Sequence, residues 1–322
     1  MDVEISHTTE TGKQEITNGS IQSGPPPEAM FFALAYLPLF ELLSMGQVCR
    51  SLRDAVNNDI LPWLTIMVKR PLNSRISDDF LMKITARGNG QLRSLALVNC
   101  FKITDDGLHS VIAQNPQLNK LYIPGCTGLT HEGVIRAVKM ITERNHNILT
   151  LKINGIYNIT EEHLKTLCSL LGINQKREQQ QQKQWQTVYM HEYKRFSNFR
   201  GEETGCSIDM DICPKCNQVR MVFDCPREQC ERKWCRGCYL CIPRCEECGR
   251  CVELDEQSDA ACEEILCLDC WFQLPKCNFC NKPYCNQHAF QQCSLPDSSG
   301  FLCDVCHAKF ITDFYNLDCT YV

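Results

Sequence analysis

The stretch of residues 92–105 reads LRSLALVNCFKITD, and its spacing of apolar residues occurs twice more in the chain. Residues 118–131 read LNKLYIPGCTGLTH, and residues 148–161 read ILTLKINGIYNITE. Alternating apolar residues predict a short strand in each copy. Near the end of each copy, a Thr stands directly before an acidic or polar pair, and this Thr can cap a helix that follows. We therefore predict a strand, a turn and a helix in every unit, repeating over residues 69–172.

This pattern resembles the leucine-rich repeat in its cysteine-containing form, and the resemblance implies a short α/β solenoid. Cys100 and Cys126 take the inward position after their strands, and we predict that both are buried thiols rather than metal ligands. Three or four units make only a short arc, which can act as a rigid spacer or bind a partner on its concave face. The side chains predicted to face outward there are Ala96, Val98, Tyr122, Pro124, Lys152 and Asn154.

The segment before the repeats, residues 25–68, predicts three short helices with a thin core that gains stability when docked on a neighbour. We expect the third of these helices to span residues 46–56. The segment contains Pro27-Glu28, Tyr36-Leu37-Pro38, Glu41-Leu42-Leu43, the run VCRSLR at 48–53, and Trp63. In this order and spacing, these motifs resemble the F-box. A plain helical bundle or a dimerisation element is the alternative.

The F-box resemblance implies a partner, the Skp adaptor of SCF-type cullin–RING ubiquitin ligases. Docking would use apolar side chains of the F-box helices. The sequence departs from the family at Pro26, where Leu is usual, and at Leu52, where Trp is frequent, but the apolar face remains. The adaptor-binding residues predicted on this basis are Pro27, Leu37, Pro38, Leu42, Leu43, Val48 and Leu52.

Cysteine is concentrated after the repeats: 21 of the 25 cysteines lie between Cys206 and Cys319, mostly in C-x2-C pairs. Such a pair places two thiolates on one tight turn, where both can reach one zinc ion. The polar N-terminus lacks a signal-peptide core, so we expect a reducing compartment and metal ligands rather than disulfides. We expect about four structural Zn2+ ions. The predicted ligands are Cys213, Cys216, Cys225, Cys230, Cys235, Cys238, Cys245, Cys248, Cys267, Cys270, Cys277, Cys280, Cys285, His288, Cys303 and Cys306.

How these eight pairs join into sites is left open by their spacing. Cross-braced pairing within the blocks 213–248 and 267–306 would resemble RING-type binuclear modules. Cys238/Cys241 and Cys248/Cys251 are equally good pairs, and the remaining cysteines are spares or ligands in another arrangement. The spares are Cys206, Cys262, Cys293 and Cys319, and His288 is preferred to His307 as a ligand. Shells of sulfur with at most one imidazole are closed to water, so these sites are predicted to be structural.

The charge of the chain argues against nucleic acid as a partner. The formal net charge is -5, and from Cys206 onward eleven Lys and Arg face eighteen Asp and Glu. Metal-bound thiolates would add further negative charge, whereas affinity for DNA rests on neutralising phosphates. No apolar run approaches the roughly 18 residues of a membrane helix. A protein partner is therefore the better expectation.

Together the parts resemble a plant F-box protein of the Skp-interacting type with an α+β multidomain fold. The predicted parts are a disordered segment at 1–24, the F-box at 25–68, the repeats at 69–172, a polar Gln-rich linker at 173–205 and an irregular zinc-stabilised module at 206–322. The expected function is a non-catalytic subunit that presents an unknown protein target for ubiquitination, in the nucleus and/or cytoplasm. The alternatives are RING-like ligase activity in the zinc module and a zinc-finger adaptor in transcription.

Overall fold

The computed structural model describes residues 32–144, 150–173, 207–227, 230, 235–253, 257–294 and 300–318. The segment predicted to be disordered, Pro27, almost all of the Gln-rich linker, Cys206 and Cys319 lie outside these ranges. In the described ranges, none of the helices combines the length and the apolar character that a membrane crossing requires.

The first described part is a small helical bundle. Helix α1 spans Leu39–Val48 and helix α2 spans Arg50–Asn58, with an extended backbone at Cys49 (φ -151°, ψ 168°) between them. The sequence interpretation was wrong about this boundary, because it began a helix at Gly46, which lies inside α1. Gly46 faces α2, since a Cβ built on it would lie 3.8 Å from Cγ1 of Val56, which is an ordinary contact distance.

A fully buried tryptophan joins this bundle to the part that follows. Trp63 ends the short 3-10 helix Leu61–Trp63, and its indole N–H donates to the carbonyl of Val56 at 2.8 Å. On its other side, the guanidinium of Arg87 lies 4.7 Å from the ring centroid. The ring therefore packs between the bundle and the first helix of the sheet region.

Four parallel strands in chain order form the central sheet, with helices between successive strands. The strands are β1 (Thr65–Val68), β2 (Ser94–Leu97), β3 (Lys120–Tyr122) and β4 (Thr150–Lys152). The helices are α3 (Asp78–Ala86), α4 (Asp105–Gln114), α5 (His131–Arg144) and α6 (Glu161–Leu170). In register, Leu95 lies opposite Ile66 and Leu121, and Leu121 lies opposite Leu151. The inward leucines therefore stack into one continuous row.

The residues predicted to begin each helix do so. Thr104 and Thr130 accept hydrogen bonds from the N–H groups of Gly107 and Gly133 at 3.3 and 3.0 Å. Ser77 caps α3 and Thr160 caps α6 in the same way. Each cap satisfies a backbone donor that the first turn of a helix leaves without a partner.

The two cysteines in the repeats, Cys100 and Cys126, are fully buried, as predicted from their inward position. The opposite face of the sheet differs from its prediction, because Ala96, Tyr122 and Pro124 are buried there rather than exposed. Ala96 and Tyr122 pack with Met67 of β1, and Nζ of Lys152 lies 4.4 Å from the centroid of the Tyr122 ring. On a narrow sheet, large side chains of neighbouring strands cover one another.

The C-terminal part consists of short hairpins and helices around the cysteines. Its hairpins pair β5 (Asp211–Ile212) with β6 (Val219–Arg220), β7 (Gln257–Asp259) with β8 (Ile265–Cys267), and β9 (Cys293–Ser294) with β10 (Phe301–Leu302). Its helices are α7 (Leu268–Gln273), a 3-10 turn at Ala289–Gln291, and α8 (Asp304–Asp318). With so little regular structure, the cysteine clusters must account for how this part holds together.

Candidate metal centres

Five groups of cysteine and histidine side chains lie in the described C-terminal part, and the ligand atoms of each group lie within 4.8 Å of one another. Three groups, which we call the first, second and third knuckle sites, each combine two C-x2-C pairs. They are Cys213/Cys216 with Cys238/Cys241, Cys245/Cys248 with Cys267/Cys270, and Cys277/Cys280 with Cys303/Cys306. The two others are the four-cysteine bridging site, made of Cys225, Cys230, Cys235 and Cys251, and the histidine bridging site, made of Cys262, Cys285 and His288.

The first half of every knuckle site has the same backbone turn. The residue after the second cysteine is Asn217, Gly249 or Asn281, and its φ is positive, at 55°, 74° and 58° respectively. Its N–H donates to the carbonyl of the first cysteine at 2.8, 2.8 and 2.9 Å. Gly and Asn adopt this left-handed conformation with the least strain, which is why these residue types follow the pair. The turn brings both sulfur atoms to one side.

The second half of the second and third knuckle sites lies at the start of a helix. Cys267 is the N-cap of α7, and Cys303 immediately precedes α8, so that Cys270 and Cys306 fall in the first turns. The N–H of Cys306 donates to Sγ of Cys303 at 3.4 Å. Burial nevertheless raises the pKa of Cys303, and it raises the pKa of Cys270 and of Cys306 to about 12, so a bound cation would have to stabilise the thiolates in these second halves.

The separation of the sulfur atoms fits a tetrahedral metal ion. Four sulfurs at about 2.3 Å from one zinc ion lie about 3.8 Å from each other. The observed Sγ–Sγ distances are 3.9 Å for Cys216–Cys238, 3.8 Å for Cys248–Cys267 and 3.8 Å for Cys280–Cys303. In the four-cysteine bridging site, Sγ of Cys251 lies 3.9 Å from Sγ of Cys225 and 3.8 Å from Sγ of Cys230. A disulfide would need about 2.0 Å, and every cysteine in the described ranges is free.

The first cysteine of each knuckle site has a lowered pKa, which favours its thiolate form. Burial raises the pKa of Cys213, but backbone N–H donors, that of Cys238 first, outweigh it and lower the pKa to about 6. Cys277 has the same balance and also a pKa of about 6. The Cys248 thiol, followed by backbone donors, lowers the pKa of Cys245 to about 4 against the effect of burial. The thiolate is the form that binds metal, so these knuckles are prepared for it.

The four-cysteine bridging site connects consecutive knuckle sites. Cys225, Cys230 and Cys235 belong to the segment between the two halves of the first knuckle site, whereas Cys251 follows the first half of the second. A buried Arg244 reinforces this connection, because its guanidinium donates to the carbonyls of Cys235 and Phe223, the latter at 2.9 Å. A buried cation beside four thiolates also offsets part of their charge.

The histidine bridging site connects the next two knuckle sites in the same manner. Cys262 lies between the halves of the second knuckle site, and Cys285 and His288 lie between the halves of the third. Sγ of Cys285 lies 3.1 Å from Nδ1 of His288. The C-terminal part is therefore a series of three knuckle sites, each tied to the next by a shared cluster.

All sixteen residues predicted as ligands from the sequence lie in these five groups. Three further cysteines, Cys241, Cys251 and Cys262, also take part, although the sequence interpretation left them as alternatives or spares. Cys293 and His307 belong to none of the five groups.

The proposed grouping into blocks 213–248 and 267–306 differs from the structure, because the second knuckle site draws on both blocks. Cys235 and Cys238, predicted as one pair, belong to different sites. The residue after each true knuckle, Asn or Gly, was the signal that could have identified the three first halves.

The predicted adaptor-binding residues divide into two sets in the structure. Leu42 and Leu52 are each 2% exposed and form the core of the helical bundle, and Leu37 and Leu43 pack partly against that core. Val48 is 69% exposed and Pro38 is also exposed. Phe32, Tyr36 and Phe40 are large exposed side chains of the same bundle that the prediction did not include. Pro27 lies outside the described residues.

Two family models match this chain. The F-box domain matches residues 26–64, which cover the helical bundle. The At3g27290 F-box protein C-terminal domain matches residues 209–279, which contain the first two knuckle sites and the four-cysteine bridging site, and the match ends before Cys285.

Curated plant proteins align over most of the chain. It is similar to F-box protein SKIP28 of Arabidopsis thaliana, with 38% identity over 303 residues that cover 90% of this chain and 93% of the relative. It is also similar to F-box protein SKIP14 of the same plant, with 35% identity over 242 residues, or 72% of this chain and 51% of the relative. With an F-box at its N-terminal bundle and 38% identity over nearly the whole length of one such relative, the chain belongs to the plant F-box proteins of the Skp-interacting type.

Proposed function

We propose that this protein is the substrate-recognition subunit of an SCF-type cullin–RING ubiquitin ligase, and that its F-box docks on a Skp adaptor. The observation that carries the proposal is the F-box match over residues 26–64, on a bundle that exposes several large apolar side chains. Phe32, Tyr36 and Val48 are 74%, 77% and 69% exposed, and Phe40 is 49% exposed.

The docking surface in this proposal consists of Phe40 and Val48 on α1, with Phe32 and Tyr36 just before it. Fully burying one such side chain against a partner contributes about 1.5–3 kcal/mol, so a few of them suffice for specific binding. Leu42 and Leu52 have a different role, because they hold α1 against α2 and so shape the surface from below.

The repeats and the cysteine-rich part would hold the target. We take the parallel sheet and its helices to be a short leucine-rich-repeat solenoid that sets the distance between adaptor and target. The cysteine-rich part would present a protein-binding surface, in keeping with its excess of Asp and Glu over Lys and Arg. The identity of the target is open in this proposal, and the complex would act in the nucleus and/or cytoplasm.

The metal in the three knuckle sites and the four-cysteine bridging site would be Zn2+, with a structural role. Four thiolates at tetrahedral spacing suit zinc and leave no position for a reacting water. Each ion can contribute about 10–16 kcal/mol of binding free energy to folding. In this proposal the chain itself carries out no chemistry, because the cullin–RING assembly supplies the ubiquitin-loaded enzyme.

A binding assay with purified Skp adaptor and the full chain tests the docking surface. The double variant Phe40→Asp plus Val48→Asp places two charges on the exposed apolar surface and should lower affinity at least a hundredfold. Phe101→Asp is the matched control, since Phe101 is 50% exposed in the repeat region, and it should bind like the natural chain. Unchanged binding by the double variant, with folding verified by circular dichroism, would sink the proposal.

Ubiquitination assays separate this function from ligase activity in the cysteine-rich part. The natural chain without cullin and RING subunits should give no ubiquitin chains with a panel of conjugating enzymes. With Skp, cullin and RING subunits it should become modified itself, as receptors in such complexes often do. Modification in the absence of those subunits, abolished by Cys213→Ser, would instead favour a ligase in the cysteine-rich part.

A further inference from the structure

The histidine bridging site differs from the four other clusters, because the described residues supply only three ligand atoms. We propose that Cys262, Cys285 and His288 bind a further Zn2+ ion whose fourth position is open to water and to exchangeable anionic donors. This site goes beyond the proposed adaptor function and does not rest on it. Three protein ligands with one open position is the arrangement that zinc adopts where it interacts with small ligands.

The ligands come from two chain segments that are held together without the metal. Cys262 lies in the turn between β7 and β8, where the N–H of the adjacent Ala261 donates to the carbonyl of Pro283 at 2.7 Å. Cys285 and His288 share one turn, closed by the N–H of His288 donating to the carbonyl of Cys285 at 2.9 Å. The site is therefore largely formed in advance, which lowers the conformational cost of binding.

A second contact fixes the turn that carries two of the ligands. The carboxylate of Glu247, inside the Cys245/Cys248 knuckle, accepts hydrogen bonds from the backbone N–H of Asn286 and from its side-chain amide, the latter at 2.7 Å. The turn is thus attached to the second knuckle site. Sγ of Cys285 is fully buried and lies 3.1 Å from Nδ1 of His288. A shared zinc ion would set this distance at about 3.5 Å, which a small rotation of the ring provides.

The place of the site in the series supports a metal rather than a chance meeting of side chains. The four-cysteine bridging site joins the first two knuckle sites by ligands that lie beside both of them in the sequence, and the histidine bridging site joins the second and third in the same way. Cys262 packs against the apolar clusters of both of these knuckle sites. A metal ion here would tie the last module to the rest of the chain.

Charge distinguishes this site from its neighbours. A zinc ion with four thiolates has a formal charge of -2, whereas two thiolates and a neutral imidazole leave it at zero, so a further anionic donor is accepted readily. Within the described ranges no fourth Cys, His, Asp or Glu joins the group. Cys293 is near in sequence, but it lies in β9 opposite Leu302 and outside the cluster. Cys262 and His288 are partly exposed, so solvent has access to the open position.

Metal stoichiometry tests the existence of the site. Native mass spectrometry of the full chain should show five zinc ions, and His288→Ala should show four. His307→Ala is the matched control, because His307 lies next to a ligand but in no cluster, and it should retain five. His288→Cys, which restores a donor, should also retain five. Four ions in the natural chain would overturn the proposal, and so would a count in His288→Ala equal to that of the natural chain.

Cobalt substitution tests the open position. With Co2+ in place of zinc, azide should change the visible d–d absorption of the natural chain and have no effect on His288→Ala. Cys293→Ser should keep both the five ions and the response to azide. If azide has no effect on the natural chain, or has an effect only in Cys293→Ser, then the chain itself fills the fourth position. Either result would reject the open site.

Discussion

Individual side chains in the repeats link one unit to the next through a ladder of carboxylates. Asp78 accepts hydrogen bonds from the N–H and the hydroxyl of Thr104 at 3.1 and 2.7 Å. One unit later, Asp105 accepts the same two bonds from Thr130 at 3.0 and 2.6 Å. The first residues of α3 and α4 thus hold the caps of the helices that follow them. Bonds to a charged acceptor are about twice as strong as neutral ones, so the ladder fixes the spacing of the helices.

The carboxylate ladder explains why two positions near the starts of helices are occupied by glycine. A Cβ at Gly133 would lie 2.0 Å from the carboxylate of Asp105, and a Cβ at Gly107 would lie 2.1 Å from that of Asp78. We therefore expect Gly133→Ala to lower the free energy of unfolding by about 1–3 kcal/mol, because the clash displaces the carboxylate from Thr130. Chemical denaturation followed by circular dichroism measures this change.

Gly46→Ala is the control for this prediction, since Gly46 also lies in a helix but has space. Its added Cβ would meet Cγ1 of Val56 at 3.8 Å, an ordinary contact. This variant should be neutral or more stable by up to about 1 kcal/mol, because Ala has less conformational entropy to lose than Gly. Equal effects of the two substitutions would contradict the steric role of the ladder.

At the scale of elements, the cysteine-rich part begins by covering the last edge of the sheet. The N–H of Leu151 in β4 donates to the carbonyl of Ser207 at 2.7 Å, and Ile208 pairs with Leu151 as a parallel bridge. The carboxylate of Asp209 then accepts from the N–H groups of Ile153 and Asn154 at 2.9 and 3.3 Å. An uncovered edge strand exposes donors that pair with other chains, so this contact also protects against aggregation.

Asp209→Ala should leave the backbone N–H groups of Ile153 and Asn154, just after β4, without their carboxylate acceptor. We expect a loss of about 1–3 kcal/mol in unfolding free energy, since two backbone donors lose a charged acceptor. Hydrogen exchange should become faster at the amides of Ile153 and Asn154, while the amides of β2 keep their rates. Asp54→Ala, at an exposed position of α2, is the control and should change neither quantity. Unaltered exchange at both amides would show that water or another group replaces the carboxylate at no cost.

The elements also show how far the sequence alone can go. The strand, cap and helix of each repeat follow from local spacing, because each depends on residues within one unit. The joining of the cysteine pairs does not, since Cys251 meets Cys225 across 26 positions of chain and no local rule selects that partner. Likewise, the apolar spacing of α1 and α2 could not tell Val48, which is exposed, from Leu52, which is buried. That division depends on how the two helices pack across the break at Cys49, where the backbone is extended.

At the scale of the molecule, one apolar core runs from the helical bundle through the repeats into the beginning of the cysteine-rich part. Leu42 and Trp63 belong to it at one end, and Met210, Met221 and Phe223 at the other. The later clusters are different, because cysteines make up half of the buried residues around the second knuckle site and half of those around the third. The N-terminal two thirds can therefore fold by burial of apolar surface, whereas we expect the later modules to need a bound metal.

Removal of the metal should expose this difference. After incubation with 1,10-phenanthroline, we expect residues 245–306 to lose protection from hydrogen exchange, because each lost ion removes about 10 kcal/mol or more of folding free energy. The repeats, residues 65–170, should keep most of their protection. Residues 207–223 should fall between the two, since Met210, Met221 and Phe223 remain attached to the apolar core after the first knuckle site opens.

The isomer 1,7-phenanthroline does not chelate and is the control for non-specific effects of the aromatic compound. Re-addition of zinc should restore protection in residues 245–306, because the knuckle turns are local and can form again one by one. Loss of protection in the repeats at the same rate as in the later modules would mean that metal and apolar core form one cooperative unit. In that case the contact between β4 and residues 207–209 would carry the loss of structure from the cysteine-rich part to the repeats, and Asp209→Ala should uncouple the two parts. The chelation experiment and this variant together therefore distinguish a metal-dependent appendage from a metal-dependent fold.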